Sequence, residues 1–219
     1  MSLSLLESSW KDLAGTGSNL SLLVISREPD SILLAELATT HLRFNSAGCT
    51  EFAERYLRDQ SGSTRQLKRW ADSRRALLQA LAALKEDISP SEVLASLSHT
   101  QHQCIAVTTV RSAAVQGVGV DVEERTRELS MRAAERFMRA SEHSLSLTPL
   151  QVWTIKEACY KADAGNQNSL ISQYEIVSFA NGKAEVRSDQ NAQAHFTARC
   201  LETAELMVSF AVRTSPGAP

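Results

Sequence analysis

The chain is 219 residues long, with 23 Lys and Arg against 25 Asp and Glu and a net charge of −2. That balance excludes a general nucleic-acid binder, whose surface would be strongly basic, and 43% hydrophobic with 22% charged residues excludes a disordered chain. No apolar run reaches the roughly 18 to 20 residues that span a bilayer, and Met1 to Trp10 carries Glu7 and no basic leader, so a cytoplasmic protein free of membrane and nucleic acid is expected.

The length suits one long domain or two of about 100 residues each. Cys49, Cys104, Cys159 and Cys200 form no CxxC pair and have no nearby His at metal-ligand spacing. They read as buried thiols in a reducing compartment.

Leu20 to Ile25 is a short apolar run closed by Pro29 and Asp30, which predicts a first strand. Helical patterns follow over Ile32 to Arg43 and Cys49 to Arg58, and then over Ser63 to Lys85, where Leu67, Trp70, Leu77, Leu78, Leu81 and Leu84 repeat without an intervening Gly or Pro. After Pro90 the pattern turns β-branched. Cys104 to Val110 and Val118 to Val122 predict strands. A helix is expected at about Ser130 to Ala140, and Thr148 with Pro149 opens another over Leu150 to Ala162. Tyr174 to Phe179, Ala184 to Arg187, His195 to Cys200 and Leu206 to Val212 predict a strand meander, with Asn181 and Gly182 as the first hairpin turn. Ser215 to Pro219 reads as a tail.

Helices followed by strands thus occur twice. Ser73 to Ala80 (SRRALLQA) can be laid over Ile155 to Ala162 (IKEACYKA), and VRS at Val110 over VRT at Val212, at unequal offsets. The matches are short, and Ala and Arg coincide easily by chance.

Three segments carry chemistry. In Val118 to Glu123 (VGVDVE) the alternation of a strand sends the valines to the core and Gly119, Asp121 and Glu123 to the other face. Two carboxylates then stand roughly 7 Å apart, and their oxygens suit a hard cation such as Mg²⁺, with Gly119 leaving room for a ligand. A solvated sheet face at a strand end fits the same pattern. On the helix from Leu150, Val152, Ile155, Ala158, Cys159 and Ala162 form the buried stripe, while Trp153, Glu157 and Lys161 share the opposite side. An aromatic beside an acid and a base there points to a pocket or interface, or else to an ordinary Glu157 to Lys161 helix pair. Ser96 to Thr100 (SLSHT) lies just before a strand and could donate hydrogen bonds to phosphate oxygens, or form a turn with capping hydroxyls.

Together VGVDVE, WTIKEACYKA (Trp153 to Ala162) and SLSHT resemble the three signature segments of the 4'-phosphopantetheinyl transferases, in the same order, and RFMRASE (Arg136 to Glu142) is similar to a fourth, weaker one. The resemblance covers Arg69 to Ala162 well. It implies the α/β (α+β) fold of the larger members, two similar α/β halves forming a pseudo-dimer within one monomeric chain. Residues 1–115 would be the N-terminal half that binds coenzyme A phosphates, and residues 116–219 the half with the metal-binding and catalytic motifs. It further implies transfer of 4'-phosphopantetheine from coenzyme A to a serine of an acyl or peptidyl carrier protein, with release of 3',5'-ADP. By the same resemblance Asp121, Glu123 and Glu157 hold Mg²⁺, Glu157 is the base and Lys161 contacts phosphate. Lys156 stands by the cleft, and Ser98, His99 and Arg75 bind the coenzyme.

Residues 55–75, which include Arg75, hold seven basic side chains against two acids, in keeping with an anionic ligand or with a solvated helix face. The family's GKP segment ahead of SHT has no counterpart, since residues 85–97 contain no Gly. That predicts the loss of one strand and one basic coenzyme contact. A silent homologue that only binds a carrier protein or coenzyme A is the alternative reading.

Overall fold

The computed structural model describes residues 21–26, 76–77, 80, 90–101, 103–112 and 114–214. The expected helices at 32–43 and 49–58, most of the one at 63–85, the basic run with Arg75, Cys49 and the tail at 215–219 lie outside the described residues.

Among the described residues there are two antiparallel sheets. The first pairs β1 (Ser21–Ser26), β3 (Gln103–Val110) and β2 (Val93–His99) in the order β1-β3-β2. The second comprises β4 (Gly117–Glu124), β5 (Tyr174–Ala180), β6 (Lys183–Ser188), β7 (His195–Glu202) and β8 (Leu206–Thr214), in the order β4-β8-β7-β6-β5. Between β4 and β5 the chain forms a single turn, α1 (Met131–Ala134), and the longer α2 (Pro149–Ala162).

The alternation of β4 is buried on both sides. Val118, Val120 and Val122 join Val208, Phe210 and Val212 of β8 against Leu94, Ile105 and Val107 of the first sheet. On the other face of the second sheet, Val152, Ile155, Ala158, Cys159 and Ala162 of α2 pack into a core with Tyr174, Ile176, Val186 and Phe196. Helical residues Ala76, Leu77 and Ala80 cover Cys104 and Ala106 on the outer face of the first sheet. Each fully buried Val, Ile or Phe contributes about 1.5 to 3 kcal/mol, so the valines of β4 tie the sheets together. Cys104, Cys159 and Cys200 are buried and form no disulfide, as expected. No helix of the described residues is long and apolar enough to cross a membrane.

α2 starts where Thr148 and Pro149 predict. The Thr148 hydroxyl accepts from the Gln151 amide at 3.2 Å, and the Gln151 side chain accepts from the Thr148 amide at 2.8 Å, which satisfies amides that a helix start leaves open. The hairpin turn is also as expected, with φ of 52° at Asn181 and 77° at Gly182, the left-handed pair of a type I′ turn.

Three expectations are corrected. The helix at 130–140 stops after Ala134; Arg139 is extended (φ −97°, ψ 158°) and a 3₁₀ turn, Ala140–Leu145, follows. Tertiary contacts override the Ala and Arg propensity here, because Lys156 takes the Phe137 carbonyl at 2.6 Å. Ser96, Ser98 and His99 lie inside a strand, β2, rather than in a turn; residues 81–89 ahead of it, where the GKP segment would stand, lie outside the described residues. The space at Gly119 holds no ligand: a Cβ there would lie 1.9 Å from the Ala158 carbonyl oxygen, and one at Gly117 equally close to that of Ala162. α2 therefore lies directly on the backbone of β4. Gly119→Ala should lower the urea midpoint by the equivalent of about 1 to 3 kcal/mol or more; an unchanged midpoint would contradict this seating.

Candidate active site

The close approach of Gly117 and Gly119 to Ala162 and Ala158 brings Lys161 of α2 to Asp121 and Trp153 to Glu123. Lys161 Nζ donates to Asp121 Oδ1 at 2.7 Å, to the Val120 carbonyl at 3.2 Å and to Ser98 Oγ at 3.2 Å. Three protons meet three acceptors. Ser98 Oγ in turn donates to Asp121 Oδ1 at 2.9 Å and accepts from the Val122 amide at 3.2 Å. Asp121 is 5% exposed, yet its Oδ2 has no hydrogen-bond partner among the described residues. A dry, unsatisfied carboxylate oxygen is costly, and the cost falls when a cation meets it.

Glu123 lies two residues on and is drawn toward Trp153, whose Nε1 donates to its Oε1 at 3.2 Å, and toward Arg127, which pairs with the same oxygen. The Arg127 guanidinium sits 5.5 Å from the Trp153 ring centre, and Phe137 meets that ring edge-on at 5.1 Å. Trp153 is thus held between an aromatic and a cation, and it also packs against the core cluster on this face of the sheet. Arg127 and Phe137 were not singled out as site residues from the sequence; the i, i+4 spacing of Glu123 and Arg127 was the signal available.

Glu157 has its carboxyl pushed above the ordinary range, first by burial and then by the negative charge of Asp121, with Lys161 opposing, Glu123 adding and Arg127 opposing. The charges of Asp121, Glu123 and Lys161 are thus all felt at Glu157. No three acidic, His or Cys side chains among the described residues stand ready around a single point. What a hard divalent ion would satisfy here is chemical: all-oxygen donors, an orphaned Asp121 Oδ2 and a Glu157 whose charge burial disfavours.

Lys156 departs from its expected place. It does not stand by this cleft but is fully buried on another side of α2, with Nζ at 2.7 Å from Glu142 Oε2 and 2.6 Å from the Phe137 carbonyl. Glu142, also fully buried, accepts from the Arg139 and Ile176 amides at 2.8 Å each. Burial pulls the Lys156 ammonium down from its ordinary value, against the pull of Glu142. Ser98 and His99 also part company: strand alternation buries Ser98 toward β4 and leaves His99 exposed. Arg75 lies outside the described residues.

Beside Trp153 opens a cleft of about 410 Å³ lined by Arg127, Leu129, Arg136, Phe137, Leu170 and Ile171 among others. Leu170 and Met131, at 66% and 58% exposed, stand out as large apolar side chains open to solvent. Residues 117–211, which carry every part of this site except Ser98, match the family described as the 4'-phosphopantetheinyl transferase superfamily. No curated protein matches the chain.

Proposed function

On the premise that residues 117–211 belong to the 4'-phosphopantetheinyl transferase superfamily, we propose that the protein transfers 4'-phosphopantetheine from coenzyme A to a serine of an acyl or peptidyl carrier protein. The carrier serine hydroxyl gives its proton to Glu157 as its oxygen bonds to the phosphorus next to the pantetheine arm, and the pyrophosphate bond to 3',5'-ADP breaks. The observation that carries this reading is the buried Asp121 carboxylate, with one oxygen fixed by Ser98 and Lys161 and the other open, beside a Glu157 of raised proton affinity.

Glu157 suits the base because a carboxylate of ordinary affinity would hold a serine proton poorly. Asp121, Glu123 and Glu157 would hold Mg²⁺, which supplies positive charge on the pyrophosphate oxygens. Trp153 and Arg127 hold Glu123 at the rim, and the cleft beside Trp153 gives the carrier or the pantetheine arm an apolar wall. In this reading the chain is one monomer of two α/β halves, 1–115 and 116–219, arranged as a pseudo-dimer and acting in the cytoplasm, with Arg75 and His99 on the coenzyme side.

The test is to mix the protein with coenzyme A, Mg²⁺ and several apo carrier proteins and to weigh each carrier. A phosphopantetheine mass gain on one of them is expected. No gain on any carrier, with coenzyme A still bound, would instead favour the silent homologue.

A further inference from the structure

Ser98 has no hydrogen-bonding capacity left for a phosphate. Its one proton goes to Asp121 Oδ1 at 2.9 Å, and its lone pairs receive the Val122 amide and Lys161 Nζ, both at 3.2 Å. The side chain is buried and faces β4, not solvent. Ser96, two residues earlier on the same face, accepts from the Val120 amide at 3.1 Å. β4 is the edge strand of its sheet, and the amides of Val120 and Val122 point away from β8. The two serines therefore close that edge with side-chain oxygens in place of another strand. The two hydroxyls differ in one respect. Ser96 only seals the edge, whereas Ser98 also grips Asp121 and Lys161.

We infer that Ser98 is a positioning residue of this site, acting through Asp121 and Lys161 and not as a ligand of the coenzyme. By donating to Oδ1 it fixes the rotation of the Asp121 carboxylate and leaves Oδ2 as the oxygen open to a cation. By accepting from Lys161 it holds the ammonium on the same oxygen, so that charge is neutralised at Oδ1 and kept at Oδ2. The inference deepens the transferase reading and rests on it for the nature of the site; its geometry involves only this chain.

Ser96→Ala is the control, since it removes an equivalent edge-sealing hydroxyl and touches neither Asp121 nor Lys161. Mn²⁺ affinity is measured by spin resonance without coenzyme, and coenzyme A affinity by calorimetry in EDTA. Ser98→Ala should weaken Mn²⁺ about ten-fold, the scale for groups that orient metal ligands, and leave coenzyme A binding in EDTA unchanged. Ser96→Ala should leave both unchanged. Ser98→Cys, which keeps the volume with a weaker hydrogen-bonding group, should fall between wild type and Ser98→Ala if the alanine variant folds poorly.

Loss of coenzyme A affinity in EDTA with Mn²⁺ binding intact would make Ser98 a phosphate ligand and overturn the inference. Equal effects of Ser96→Ala and Ser98→Ala would overturn it as well, leaving only edge sealing, and so would a wild-type protein that binds no Mn²⁺. A wild-type protein that binds Mn²⁺ but no coenzyme A would sink the transferase reading instead, and a weakened Mn²⁺ site in Ser98→Ala would still support the inference.

Discussion

Glu157→Gln and Asp121→Asn should each cut transfer by about a hundred-fold to ten-thousand-fold, the range for losing a positioned base or the charge that organises a phosphoryl-transfer site. Neither change alters side-chain size, so the loss should come with an intact fold by circular dichroism. Glu157 also has a second signature. Its carboxyl holds its proton more tightly in the folded chain than an ordinary glutamate, chiefly through burial and the charge of Asp121. A folded-state affinity raised in this way contributes stability below the unfolded value that is lost as pH rises through the folded one. Glutamine does not titrate. In EDTA the melting temperature of Glu157→Gln relative to wild type should therefore climb over that window, from the ordinary carboxylate range upward. Activity and metal-free stability then move in opposite directions. A wild-type transfer rate in Glu157→Gln would remove the base assignment, and a flat melting difference would remove the electrostatic neighbourhood.

The sequence showed the site more clearly than the strand that supports it. Trp153, Glu157 and Lys161 follow from helical spacing, because α2 obeys its own periodicity: every residue assigned to its core stripe is buried. The alternation of β4 likewise sends Val120 and Val122 toward the first sheet and Asp121 toward Lys161 of α2. β2 stayed hidden because its pattern is inverted. Ser96 and Ser98 face the edge of β4, which needs acceptors as well as apolar surface, while Leu97 packs toward Ala76 and Ala80 on the other face. Polar residues at buried positions read as a turn until the partner edge is known. Gly119 misled for a related reason. A missing side chain signals space, but only the packing of α2 shows that a helix backbone fills it. The shortened α1 has the same origin, because the segment after it is held by a lysine from α2, a contact that no local helix breaker announces.

Lys156 gives the largest expected effect on stability. Its ammonium and the Glu142 carboxylate are both fully buried and 2.7 Å apart, and the pair joins α2, the Phe137 carbonyl, the Arg139 amide and the Ile176 amide on β5. Removing one charge from such a pair strands the other in a dry site, at about 3 to 5 kcal/mol. Lys156→Met should therefore lower the melting temperature by roughly 6 to 20 °C for a chain of this size. The double variant Lys156→Met with Glu142→Leu removes both charges and should recover much of that loss, since an apolar pair of similar volume often matches a buried ion pair. The double variant also separates structure from chemistry. Trp153 and Glu157 flank Lys156 on α2, and Phe137, whose carbonyl Lys156 holds, packs edge-on against Trp153. If the lysine serves only to seat these groups, the stable double variant should transfer at a rate far closer to wild type than Glu157→Gln does. A double variant as stable as wild type but as slow as Glu157→Gln would return Lys156 to the reaction itself.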